Sequence, residues 1–127
     1  MPPSEALAPL PDDKRPRVVI AGFGRVGHLI GSMLDEHKIP YIAVDSDADL
    51  VVRERRAGHA VYYGDAANPE FLRRCGLAEA PALAVTMDNP QRVDDVTKTA
   101  RAMRADLKII ARARDERHRT LDGHGNI

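Results

Sequence analysis

The hexad Gly22-Phe23-Gly24-Arg25-Val26-Gly27 lies directly between two segments of opposite periodicity. Before it runs RVVIAGFG, Arg17 to Gly24, dense in β-branched residues, and after it come apolar residues at helical spacing: Val26, Leu29, Ile30, Met33 and Leu34. A short buried strand that ends in glycines and passes at once into a helix is the opening of a βαβ unit. Each glycine then has its own task. Gly22 permits the tight turn, Gly24 leaves room for a diphosphate to approach the backbone, and Gly27 lets the helix pack closely on the strand. The first N–H groups of that helix, with its positive dipole end, face whatever anion the loop holds.

The remaining chain repeats the alternation. Pro40 stops the first helix, and YIAV, Tyr41 to Val44, supplies a second strand ahead of Asp45. Residues 47 to 57 read as a polar surface helix ended by Gly58, and Ala60 to Tyr63 read as a third strand. Asn68-Pro69 caps and opens a short helix carrying Phe71, Leu72 and Cys75, closed by Gly76. Ala82 to Met87 gives a fourth strand. Residues 90 to 105 give a helix with Val93, Val96, Ala100 and Met103 on one stripe, and Lys108 to Ala113 a fifth strand. The expected fold class is α/β, a Rossmann-like doubly wound parallel sheet of about five strands in order 3-2-1-4-5. Residues 1–16, with five prolines, read as a disordered arm, residues 17–119 as the domain, and residues 120–127 as a flexible tail.

In such a sheet the ligand lies at the carboxyl edge, so the candidate residues are those just after each strand. Asp45 stands 23 positions beyond Gly22 and ends strand two, where a carboxylate accepts the ribose hydroxyls of an adenosine and repels the extra phosphate of NADP. Ser46 lies beside it, and Asp47 reads as the N-cap of the second helix. Arg25 is either a phosphate contact or a solvent arginine. Gly64, Asp65 and Ala66 end strand three, where Asp65 is either a contact to adenine or ribose or the acceptor of an Asx turn. Thr86, Met87 and Asp88 end strand four beside the glycine loop, the place for the far half of a dinucleotide. Arg112 and Arg114 follow strand five within a basic region that also holds Arg101, Arg104, Lys108, Arg117 and Arg119. That region is either a solvated face or a docking place for a carboxylate, a distal phosphate or an acidic partner segment.

Composition narrows the functions. With 127 residues there is room for one core, and Lys plus Arg balance Asp plus Glu at 19 each, so no overall field draws nucleic acid. The five aromatic residues do not interleave with a basic patch. One cysteine excludes an internal disulfide, which points to a reducing, cytoplasmic compartment. No apolar run is long enough to cross a bilayer, and the N-terminus lacks the pattern of a signal peptide. Histidines 28, 37, 59, 118 and 124 show no metal-binding spacing, so no metal is expected. No catalytic residue is expected either: the chain has little beyond a nucleotide half, and no tyrosine–lysine pair at helical spacing to act as an acid.

RVVIAGFGRVG, HKIPYIAVDSD, AGHAVYYGDAANPEFLRRCG, AVTMDNP and KIIARARD together resemble the RCK or TrkA-N nucleotide-binding regulatory domain of potassium channels and transporters. The closest likeness is to the cytoplasmic domain of Kef-type glutathione-regulated potassium efflux antiporters, over roughly residues 17 to 117. The resemblance implies the dinucleotide loop at Gly22, Gly24, Arg25 and Gly27, the ribose acid at Asp45, the adenosine-side segment at Gly64 to Ala66, and the distal segment at Thr86 to Asp88. It places Arg112 and Arg114 near the regulatory interface. It further implies NAD(H), with AMP or ATP as alternatives, a homodimer, and a potassium channel or antiporter membrane subunit as partner. The other reading of the residues is a small NAD-dependent oxidoreductase or an orphan nucleotide-binding protein.

Overall fold

The structure is a computed structural model that describes residues 4–13 and 15–111. Among the described residues five parallel strands form one sheet: β1 (Val18–Ala21), β2 (Tyr41–Asp45), β3 (Val61–Tyr63), β4 (Leu83–Val85) and β5 (Ile109–Ala111). Their order is β3-β2-β1-β4-β5, as expected. Registers are continuous across the sheet, with Ile20 opposite both Ala43 and Ala84, and Ala84 opposite Ile110. The crossovers contain α1 (Arg25–Glu36), α2 (Ala48–Arg56), α3 (Pro69–Arg74) and α4 (Pro90–Met103).

The strands alternate with a period of two, so each feeds two cores. Val19, Ala21, Ile42, Val44, Leu83 and Val85 pack with Leu72, Val96 and Ala100 of α3 and α4. Ile20, Tyr41, Ala43, Val61 and Ala84 pack on the other face with Val51 of α2 and with Ile30 and Leu34 of α1. Polar side chains close the starts of α2, α3 and α4, the first two at the predicted places. Asp47 accepts from the Asp49 and Leu50 N–H groups, Asn68 from Phe71, and Asn89 from Gln91 and Arg92. Gly58 and Gly76 follow α2 and α3 with φ of +99° and +85°.

Two expectations are corrected. The apolar residues of α1 do not all face the sheet: Leu29 and Met33 are 63% and 52% exposed. The buried positions of the helix are Gly27 and Gly31, because a Cβ at Gly31 would stand 2.9 Å from the Phe23 ring and 3.0 Å from Tyr41 Oη. With both glycines against the sheet, the helical repeat turns Leu29 and Met33 outward. The proline-rich arm also holds more structure than its composition predicts. Ser4–Leu7 is a 3₁₀ helix whose Ala6 is buried in the core shared with α2 and β3, and Leu10 packs on the opposite core. The expected tail at 120–127 lies outside the described residues.

Cys75 is buried at the end of α3, and burial pushes its thiol up to about 12. At pH 8 the folded chain is expected to react with a maleimide at least about a hundredfold more slowly than the urea-unfolded chain, as measured by mass spectrometry. The unfolded thiol ionises first, so this group withdraws stability only as pH rises above about 8.5. Gly31→Ala is expected to cost about 1–3 kcal/mol in urea denaturation, since the new methyl must displace a packed ring.

Candidate functional site

The strands deliver their carboxyl ends to one edge, and there the glycine turn is held in a single geometry. Gly22 has φ +101°, and its N–H donates to the Val44 carbonyl at 2.8 Å. A Cβ on Gly22 would meet Thr86 Oγ1 at 2.8 Å, and one on Gly27 would meet the Gly22 carbonyl oxygen at 2.2 Å. Neither contact is tolerable, so glycine at both positions is a steric requirement. Thr86 is buried, and its hydroxyl donates to the Gly22 carbonyl at 2.7 Å, tying the turn to the end of β4.

Gly24 differs. A Cβ built there has no described atom within 4 Å, and the residue is exposed as the N-cap of α1. Among the described residues no side chain caps this helix, in contrast to α2, α3 and α4. Its first N–H groups therefore remain available at an open, glycine-lined mouth, the arrangement that attracts a phosphate.

A cleft of about 660 Å³ opens at this point, lined by Gly22, Gly24, Arg25, Val26, Asp45, Leu50, Thr86, Met87 and Asp88. A lobe of about 180 Å³ adjoins it through Gly22, Asp45, Met87 and Asp88, and extends along Val44, Ser46, Gly64, Ala66, Asn89 and Arg92. The volume suits a small-molecule ligand, and the lining combines apolar walls with a few charged groups. Another recess, of about 250 Å³, lies among Arg17, Ile42, Arg74, Cys75 and Glu79, away from the glycine turn. Arg17 is already engaged there, 2.9 Å from Asp13.

The predicted residues separate into three groups. Gly22, Gly24, Arg25, Val26, Asp45, Ser46, Gly64, Ala66, Thr86, Met87 and Asp88 all line the cleft or its lobe. Phe23, Gly27 and Asp65 are not among the lining residues. The Phe23 ring is 1% exposed and belongs to the core, leaving only its main chain near the site. Asp65 accepts from the Ala67 N–H at 2.9 Å and from Arg92 Nη2 at 3.2 Å, so its carboxylate serves the turn and an ion pair. Arg112 and Arg114 lie outside the described residues.

Asp45 has a double role. Its Oδ2 accepts the Phe23 N–H at 2.8 Å and its Oδ1 accepts the Asp47 N–H at 2.9 Å. The acid thus braces the glycine turn and lines the cleft, and a carboxylate oxygen that accepts one hydrogen bond retains capacity for another, as accepting two hydroxyls requires. Sequence reasoning missed Leu50 on α2, Arg92 on α4, and Asn89, the N-cap of α4. It also found no metal set, whereas the fold brings His28, Glu54 and His59 within reach of one another.

The chain that carries this edge has counterparts among known proteins. Residues 18–122 match the family model of the TrkA-N domain. The chain is 38% identical over 107 residues to the glutathione-regulated potassium-efflux system protein KefC of Escherichia coli, an alignment covering 84% of this chain and 17% of that protein. It therefore spans about a sixth of the length of the curated relatives it matches. The AMP-bound form of the Kef CTD of Shewanella denitrificans superposes with a TM-score of 0.69 at 30% identity, covering 84% of this chain and 66% of that one. The GsuK channel bound to NAD shares the fold, with a TM-score of 0.75 at 23% identity over 88% of this chain and 20% of that one. Because the family match takes in the glycine turn, Asp45 and all five strands, the chain belongs to the TrkA-N domain family.

Proposed function

We propose that this chain is a regulatory domain that binds an adenine nucleotide, NAD(H) or AMP, and controls a potassium efflux or transport protein. The observation that carries the reading is the uncapped start of α1 at an open Gly24, with the braced carboxylate of Asp45 across the same cleft. The helix N–H groups and Arg25 take the phosphates, Asp45 takes the adenosine ribose, and Val26, Leu50 and Met87 supply apolar walls. Arg92 and Ala66, in the lobe on the β3 side, bound the adenine end. Thr86, Met87 and Asp88 bound the distal half when the ligand is a dinucleotide. AMP in the Shewanella Kef domain and NAD in the GsuK channel support both ligand classes.

Regulation requires a ligand that prefers one of two states of the domain and a partner that reads the difference. The partner in this reading is the membrane subunit of a potassium channel or antiporter, which the KefC likeness supports. In this reading the domain works at the cytoplasmic side of that subunit; among the described residues no helix is long and apolar enough to cross a membrane. A homodimer belongs to the same reading, and the exposed Leu29 and Met33, four residues apart on α1, offer an apolar contact for it.

Calorimetric titration of the full chain, stripped of copurified nucleotide, is expected to show saturable binding of NAD+, NADH or AMP and rejection of NADP+. Absence of binding by all of them would overturn the proposal, and turnover of NADH with carbonyl substrates would move it to the oxidoreductase class. Asp45→Ala is expected to weaken nucleotide binding by at least about tenfold. It should also lower stability by about 1–3 kcal/mol, because two backbone N–H groups lose a charged acceptor. A loss of stability with unchanged affinity would assign Asp45 to the turn alone.

A further inference from the structure

On the face of the sheet covered by α1 and α2, three side chains far apart in sequence converge. His28 Nδ1 lies 3.0 Å from Glu54 Oε1, and His59 Nε2 lies 3.9 Å from the same oxygen. One ligand atom from each of the three falls within 4.8 Å of the others. The side chains of Glu54 and His59 are 12% and 16% exposed, while His28 is 43% exposed and opens the cluster to solvent. The two imidazoles meet edge to face at 4.8 Å, and the buried Phe23 ring packs 5.7 Å from one and 5.5 Å from the other. None of the three residues lines the nucleotide cleft.

We propose that His28, Glu54 and His59 form a binding site for a divalent metal ion of the zinc class. Two imidazoles and one carboxylate are a borderline nitrogen and oxygen set that suits zinc and its neighbours, whereas magnesium and calcium require oxygen ligands throughout. Zinc bonds of about 2.0–2.2 Å place tetrahedral ligands about 3.3–3.6 Å apart. The observed 3.0 Å and 3.9 Å separations bracket that range, and the widest gap closes by side-chain rotation of the partly exposed His28. The fourth position opens toward solvent and takes water.

The outer partners fit the same assignment. A histidine that gives one nitrogen to a metal holds its ring by donating from the other. His59 presents Nε2 to Glu54, and its Nδ1 lies 3.3 Å from Tyr41 Oη and 3.9 Å from the Asp35 carboxylate, both competent acceptors. The ring of Phe23 forms an apolar wall that limits water on the inner side. The alternative for these residues is a hydrogen-bonded histidine–glutamate network that binds no ion.

The test uses the untagged full chain, treated with a chelator and titrated with zinc chloride by calorimetry, with cobalt(II) as a spectroscopic substitute. The expected result is one ion per chain and the visible bands of tetrahedral cobalt(II). His28→Gln and Glu54→Gln should each weaken binding by at least about tenfold and remove those bands, whereas His37→Gln, an exposed control at the C-cap of α1, should change neither. Should Glu54→Gln fail to fold by circular dichroism, the more exposed His28→Gln carries the test alone. No saturable binding, or equal affinity in wild type and His28→Gln, would overturn the proposal.

Discussion

The close approach of α1 to β1 is the constraint on which the site depends. A Cβ at Gly27 would lie 2.2 Å from the Gly22 carbonyl oxygen, and that oxygen is also the acceptor of the Thr86 hydroxyl. Helix, first strand and fourth strand are therefore fastened around one peptide group. Because the sheet fixes β1 and β4 by parallel registers, the helix start inherits their rigidity, and its N–H groups are aimed before any ligand arrives. Preorganisation of this kind comes from the absence of side chains where they would obstruct and from one hydroxyl where a donor is needed.

Much of this was legible in the sequence because the physics is local. The strand order follows from alternating short apolar runs and helices joined by right-handed crossovers, and Asp47 and Asn68 mark their helix starts with acceptors adjacent to the first turn. Asp45 and the residues after β4 could be placed because the carboxyl edge of a parallel sheet is where its strands end together. Apolar content alone misled at Leu29 and Met33. Which stripe of α1 faces inward was decided by the two glycines, whose value lies in the contacts a larger residue would violate, and hydrophobic spacing does not register that.

Side-chain encounters across elements were the other illegible class. Asp65 lay in the predicted segment, yet its partner Arg92 comes from α4, and no linear spacing links the two. Leu50 and Arg92 enter the cleft lining from helices that border the strand ends, and Asn89 enters it from the cap of α4. The His28, Glu54 and His59 group spans α1, α2 and the approach to β3, so only the packing of two helices on one face reveals it. Composition also understated the amino-terminal segment, where a single small residue, Ala6, finds a place in the core despite its proline-rich surroundings.

Phe23 carries a consequence for how the glycine pattern is read. In the hexad it stands at a position that the pattern leaves open to any residue, yet its N–H is bonded to Asp45 and its ring is enclosed by His28, His59, Tyr41 and the bare face of Gly31. A change at this position must be answered at several others at once, above all where Gly31 has yielded space for the ring. Among relatives that keep the glycines, the identity of this one residue should therefore vary in concert with positions 31, 41 and 59, so that the unspecified letter of the motif records how the helix is seated on the sheet.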